Sequence, residues 1–259
     1  MSLIVALILG IIQGLTEFLP ISSSGHLVLV QNIFGLNSAD NLLFDVILHL
    51  GTLFAVIIVY RKSVWELIKH PFSKKMKMLV LGTIPTVIIA LLFKDFFENA
   101  FGGNMLFVGF LITAVLLLIA NHYDKKYQNY KTMDYSKIMV MGIFQGLAIF
   151  PGLSRSGTTT TSALIMGVKK EEALEYSFLL SIPIILASLV YELIFHSNSV
   201  KLVPFAPILT GFLASLVFGI LSILFMKKII KNRTYNYFAI YLIILSAFLI
   251  INNIWLHLF

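Results

Sequence analysis

Two short polar stretches interrupt an otherwise apolar chain, and their residue types are those of phosphate chemistry. In the first, Gln13 and Glu17 lie four residues apart, so a helix places them on one face. Pro20 ends that helix, and Ser22, Ser23, Ser24, Gly25 and His26 follow where a new one begins. Serines at a helix start normally cap backbone N–H groups. N–H groups left over there, with hydroxyls beside them, receive an anion at the positive helix end. In the second stretch Pro151-Gly152 breaks the chain, and Ser154, Arg155, Ser156, Gly157 and Thr158 open the next helix. An Arg among apolar residues marks a site with a partner, and its fork of donors suits phosphate or carboxylate. The plainer alternative is a structural ion pair between Arg155 and Glu17.

The two stretches are copies of one segment. Residues 10–25 and 142–157 are offset by 132 and identical at nine of 16 positions. A membrane protein that duplicates such a break is usually building a polar site between its two halves. Two helix N-termini plus Arg155 attract anions strongly, so Glu17 has a place there only if it binds a metal ion or handles protons. Glu17, with or without Gln13, could hold a hard divalent cation through oxygen. Anion cradle, carboxylate, hydroxyl and imidazole together point to phosphoryl chemistry, where positioning and charge stabilisation dominate. Asp45 and His49, another i, i+4 pair, are candidates for second-layer support of this site. The Lys-Ser/Thr of a nucleotide-binding loop, GxGxxG and HExxH are all absent.

The elements that position these residues must sit in a bilayer. Hydrophobic residues make up 59% of the chain, charged ones 12%, and the mean hydropathy is +0.94. Apolar runs near 42–60, 78–93, 105–121, 174–195, 206–226 and 236–256 are long enough to span a hydrocarbon core. The net charge of +7 does not indicate nucleic acid, because 16 of the 19 Lys and Arg fall in four places. These are Arg61–Lys77, Lys125–Lys137, Lys169–Lys170 and Lys227–Arg233, which read as short cytoplasmic connections. The first Lys or Arg is Arg61, so no signal peptide is expected, and with no cysteine there is no disulfide or thiolate site.

Threading the chain with those clusters inside predicts an all-α integral membrane protein with six transmembrane helices and two re-entrant helical hairpins, 3–36 and 138–168. The expected organisation is a single membrane domain over 1–259. It comprises a first repeat (about 1–122), a basic loop (about 123–135) and an inverted second repeat (about 136–259). Both termini and the open side of the site then face outward. The alternative for the two hairpins is a pair of short helices lying on the membrane surface.

The paired stretches, Gln13-x-x-x-Glu17 with Pro20 to His26 and Pro151 to Thr158, resemble the two signature motifs of the bacterial undecaprenyl-diphosphate phosphatases, the BacA/UppP family. The resemblance covers the whole chain in length, motif spacing and hydropathy. It implies hydrolysis of undecaprenyl diphosphate to undecaprenyl phosphate, recycling the lipid carrier of peptidoglycan synthesis and protecting against bacitracin. It implies a divalent metal (Mg²⁺ or Ca²⁺), a polyprenyl diphosphate lipid as substrate, and a site open to the outer face of the plasma membrane. Membrane lipids are expected partners, a homo-oligomer is allowed, and nucleic acid is not expected. The family's motif residues map onto Gln13, Glu17, Ser22, Ser23, His26, Ser154, Arg155, Ser156 and Thr158. The family's first motif carries Glu or Gln, three residues, then Glu, so Glu17 is the only carboxylate of the pair here.

On this reading Glu17, Ser23, His26 and Arg155 are catalytic, and Ser22, Ser24, Gly25, Ser154, Arg155, Ser156, Gly157 and Thr158 bind the diphosphate. Ser23 is the favoured nucleophile, with Ser22 the weaker choice, and His26 a candidate base or proton donor. A metal-activated water attacking directly is the competing mechanism. The rival function is a transporter that flips polyprenyl phosphate lipids through the same pocket, since inverted repeats with broken helices are also the build of carriers.

Overall fold

The computed structural model describes residues 1–36, 42–100, 105–126, 130–195, 204–232 and 235–256. Among the described residues the chain forms helices only, apart from one isolated bridge between Lys131 and Val168. In order they are α1 (Leu3–Phe18), α2 (Ser23–Ile33), α3 (Leu42–Val59), α4 (Arg61–Lys69), α5 (Lys74–Leu92), α6 (Lys94–Ala100), α7 (Leu106–Lys126), α8 (Tyr135–Leu147), α9 (Arg155–Ile165), α10 (Lys170–Phe195), α11 (Phe205–Asn232) and α12 (Asn236–Ile251). A π-helical turn, Asn252–Leu256, closes the described chain.

Six of these helices are long and apolar enough to cross a membrane: α3, α5, α7, α10, α11 and α12. They coincide with the six expected spans, and the protein is an all-α, multi-pass integral membrane protein. The helices run past the apolar runs: α5 begins at Lys74 rather than 78, and α11 continues to Asn232 rather than 226. Lys and Arg side chains keep their heads in water while the backbone stays helical, so a basic residue ends a hydrophobic run without ending a helix. The cluster Arg61–Lys77 holds a helix of its own, α4, which buries Leu67 and exposes Trp65 and Ile68. Part of the basic loop, 127–129, lies outside the described residues.

Each duplicated segment is a helix, a break and a second helix. Copy one gives α1, a break at 19–22 and α2; copy two gives α8, a break at 148–154 and α9. Each first helix packs mainly against a span, α1 on α11 from the other half of the chain and α8 likewise on α5. The repeated glycines at Gly10 and Gly14, and at Gly142 and Gly146, set that approach. A Cβ at Gly10 would lie 2.5 Å from the Gly211 carbonyl oxygen, and one at Gly142 would lie 1.9 Å from that of Gly82. Small residues four apart let helix backbones touch inside a membrane, where packing rather than hydrophobicity drives association.

The breaks free backbone groups that lipid cannot satisfy, and hydroxyls from neighbouring spans take them up. Ser222 donates to the carbonyl of Leu15, in the last turn of α1, at 2.8 Å, whereas Thr86 donates to the Gly142 carbonyl inside α8 at 2.9 Å and ties that helix to α5. The Thr113 hydroxyl accepts from the Ser154 N–H at 2.9 Å and donates to the Gly109 carbonyl at 2.9 Å.

Gly142→Ala is expected to lower stability by about 1–3 kcal/mol, the usual cost of overpacking, because its new methyl meets backbone rather than a movable side chain. Leu147, 47% exposed, supplies the control: Leu147→Ala leaves the thermal midpoint in detergent near wild type. Equal midpoints for the two variants would contradict the close α5–α8 approach.

Candidate active site

The two breaks touch each other. Ser156 donates its hydroxyl to the Leu19 carbonyl at 3.0 Å, across 137 residues of sequence. A Cβ on Gly25 would come within 3.0 Å of the Gly152 Cα, and one on Gly157 within 3.3 Å of the Pro20 Cβ. Gly25 thus sits where a side chain would press on the opposite break, and Gly157 where one would fit only if its neighbours shifted slightly. Gly152 also has φ +80°, a left-handed conformation that suits a residue without Cβ.

Both copies start their second helix with the same device. The Ser22 hydroxyl accepts from the Gly25 N–H at 3.3 Å, and the Ser154 hydroxyl accepts from that of Gly157 at 3.1 Å. The cap's hydroxyl lies 3.3 Å from the serine two residues on, Ser24 in one copy and Ser156 in the other. One serine of each copy is therefore a helix cap.

Glu17 is the centre of the arrangement, and only 6% of it is exposed. Its Oε1 is ion-paired with Arg155 Nη2. Its Oε2 accepts from the Ser23 hydroxyl at 2.6 Å and from Gln13 Nε2 at 3.0 Å. His49 Nε2 lies 3.7 Å from the same oxygen. Arg155 is steadied by a second bond, Nη1 to the Ser177 carbonyl at 3.3 Å. Thus one carboxylate joins α1, α2, α3 and α9, and residues 23 and 155 meet at it.

This centre lies inside the spans. His49 is the eighth residue of the 18-residue span α3, and Ser177 the eighth of the 22-residue stretch Lys170–Tyr191. Each is about 10 Å along its helix from the nearer end, at 1.5 Å per residue.

The other expected residues take different places. His26 does not bond Ser23: its Nδ1 is 2.7 Å from the Ser22 carbonyl and its Nε2 is 2.7 Å from the Tyr241 hydroxyl. Thr158 is buried and donates to the Arg155 carbonyl at 3.0 Å, within its own helix. Asp45 and His49 do not pair through their side chains. His49 Nδ1 meets the Asp45 backbone carbonyl at 2.7 Å, while the Asp45 carboxylate accepts from Gln31 at 2.8 Å.

Ser177, Tyr241, Thr113 and Gln31 are the residues the motifs did not reveal. The first three are polar side chains within apolar spans, a signal too common among hydroxyl residues to single them out without their neighbours in space.

Among the described residues no three His, Cys, Asp or Glu side chains gather into a ready-made metal cage. A hard cation that binds diphosphate needs none: one or two protein oxygens suffice when phosphate and water complete its shell. Gln13 is fully buried, and its Oε1 has no hydrogen-bond partner. That acceptor beside the Glu17 carboxylate fits such a cation.

Fold and site define a multi-pass, all-α membrane protein with a polar centre built from two broken helices among its spans. The chain belongs to the family of the bacitracin resistance protein BacA, whose model matches residues 6–248. It is 40% identical over 250 residues to an undecaprenyl-diphosphatase of Carboxydothermus hydrogenoformans, covering 95% of each chain. It is 42% identical over 246 residues to an undecaprenyl-diphosphatase 4 of Bacillus cereus, covering 93% of each. The undecaprenyl-diphosphatase of Christiangramia forsetii is 37% identical over 262 residues, covering 97% of this chain and 98% of that one.

Arg155→Ala leaves the Glu17 carboxylate buried without its cation and is expected to cost about 3–5 kcal/mol. Adding Glu17→Gln to Arg155→Ala should restore a large part of that loss in a denaturation series. A double variant as unstable as Arg155→Ala would mean that the pair carries no such weight.

Proposed function

We propose that the protein hydrolyses undecaprenyl diphosphate to undecaprenyl phosphate and inorganic phosphate. The relatives' names support the reaction, and the Ser23 hydroxyl at 2.6 Å from Glu17 Oε2 carries its mechanism. Hydrolysis of this lipid recycles the carrier used in peptidoglycan synthesis and withdraws the diphosphate form that bacitracin sequesters. The names lend the transporter alternative no support.

In the proposed mechanism Ser23 attacks the terminal phosphorus. Its proton passes to Glu17 Oε2, the O–P bond to the lipid monophosphate breaks, and the electron pair leaves with that oxygen. Water then attacks the phosphoserine phosphorus, the bond to the Ser23 oxygen breaks, that oxygen takes back the proton held by Glu17, and the water's oxygen and protons leave with the phosphate. Glu17 is thus the base, the group already placed on the reacting hydroxyl. Arg155 has five N–H donors, so it can hold Glu17 and Ser177 and still present a donor to the phosphate. The capped starts of α2 and α9 add backbone dipole at the same place. Gln13 and Glu17 would hold a divalent cation, which when bound neutralises diphosphate charge.

The contact between the breaks, and the matching packing of α1 on α11 and α8 on α5, support two inverted repeats with re-entrant helix pairs, joined near 123–135. The four basic clusters support a topology with both termini outside and the site open to the outer face.

Phosphate release from undecaprenyl diphosphate in detergent tests the reaction without a second compartment; a protein that only flips lipid releases none. Glu17→Gln and Ser23→Ala should each lower turnover by about 10²–10⁴-fold, and the double variant should be no worse than the weaker single. Near-full turnover by Ser23→Ala sinks the serine mechanism. Removing divalent ions with a chelator should abolish turnover in wild type, with Mg²⁺ or Ca²⁺ restoring it.

A further inference from the structure

His26 is held by contacts that fix its chemical state. Nδ1 lies 2.7 Å from the Ser22 carbonyl oxygen, and a carbonyl only accepts, so Nδ1 carries a hydrogen. In the neutral ring Nε2 then presents a lone pair, and the Tyr241 hydroxyl donates to it at 2.7 Å. The Tyr241 ring stacks on the imidazole with 15° between planes and 5.8 Å between centroids. Phe110 meets it edge-on at 5.4 Å. His26 is only 8% exposed, so an Nε2 without a donor would be a buried, unsatisfied acceptor.

The consequence reaches Ser23 through Ser22. Ser22 has φ +69°, the one non-glycine residue with positive φ among those described. Such a conformation persists only where surrounding bonds over-determine it. Two of those bonds come from His26, whose ring Nδ1–H and backbone N–H both donate to the Ser22 carbonyl, at 2.7 and 3.3 Å. The next residue along the chain is Ser23, whose hydroxyl must reach Glu17. No hydrogen bond among the described residues joins Tyr241 itself to Glu17, Ser23 or Arg155.

We propose that Tyr241 is a positioning residue for the phosphatase reaction. From α12 it locks His26 in the Nδ1–H tautomer, and His26 in turn holds the strained Ser22 turn that presents Ser23 to Glu17. This rests on the serine mechanism above and extends it to α12, the span that carries Tyr241. Tyr241 acts on the catalytic step and leaves binding of the lipid alone.

Tyr241→Phe keeps the ring stack and removes the hydroxyl. It should lower kcat about tenfold, the worth of one such hydrogen bond to a buried group, while KM stays at wild type; the thermal midpoint should fall modestly, because His26 Nε2 is left a buried acceptor without a donor. In a His26→Asn background the same change should have no further effect, because residues acting through one another are not additive. Wild-type kcat in Tyr241→Phe, or an equal loss in both backgrounds, overturns the proposal. A folding-independent check is ¹⁵N NMR of wild-type protein labelled at histidine, with His26 assigned by difference against His26→Asn. Nδ1 should be protonated and Nε2 a hydrogen-bonded acceptor; the opposite tautomer overturns the proposal as well. Failure of the nucleophile assignment reads out separately, as turnover retained by Ser23→Ala.

Discussion

A carboxylate that is 6% exposed inside an apolar helical protein stays charged only with a cation beside it, and here that cation is Arg155, 138 residues away. Desolvating either ion alone costs several kcal/mol, and good geometry with further hydrogen bonds must offset it. The protein supplies those bonds on both sides: Gln13 and Ser23 to Glu17, and the Ser177 carbonyl to Arg155. Every other feature of the centre follows from keeping these two groups in one place. They sit on α1 and α9, so the two breaks that precede α2 and α9 have to meet.

Bringing breaks together in a membrane protein exposes backbone to a medium without water. The solution is repeated on both sides and uses small parts. Serine hydroxyls cap the new helices, hydroxyls from α7 and α11 take the loose N–H of Ser154 and carbonyl of Leu15, and glycines remove the side chains that would keep backbones apart. The same N-terminal dipoles that make the helix starts tolerable also make them attractive to phosphate. On the proposed function, fold stability and anion recognition draw on one set of groups.

The two copies have diverged in a way that separates their duties. Gln13 faces Glu17, whereas its counterpart Gln145 reaches Thr86 at 3.2 Å and the Leu180 carbonyl at 3.4 Å, a purely structural use. Ser23 is matched by Arg155 at the corresponding position, so one copy offers a hydroxyl and the other a cation to the same carboxylate. The left-handed residue also differs, Ser22 in the first break and Gly152 in the second. Only the first break therefore stores strain at a polar residue, beside the proposed nucleophile.

Much of this was legible in the chain alone. The six spans follow from apolar length, and the two breaks from Pro, Gly and Ser at a constant offset. The pairing of Arg155 with Glu17 was there only as the plainer alternative to an Arg155 that binds phosphate, and the structure shows the pair. Helix ends were not legible, because lysines at α5 and α11 permit the helix to continue beyond the apolar run. Partners were not legible either. His26 sits three residues after Ser23, close enough in sequence to suggest a base, yet its ring turns to Ser22 and Tyr241. Asp45 and His49 have helical spacing, yet one side chain goes to Gln31 and the other toward Glu17. Hydrophobic length and helix breaks are local properties, and composition along the chain determines them. Which hydroxyl meets which carboxylate depends on how helices far apart in sequence cross, and only the packed structure decides that.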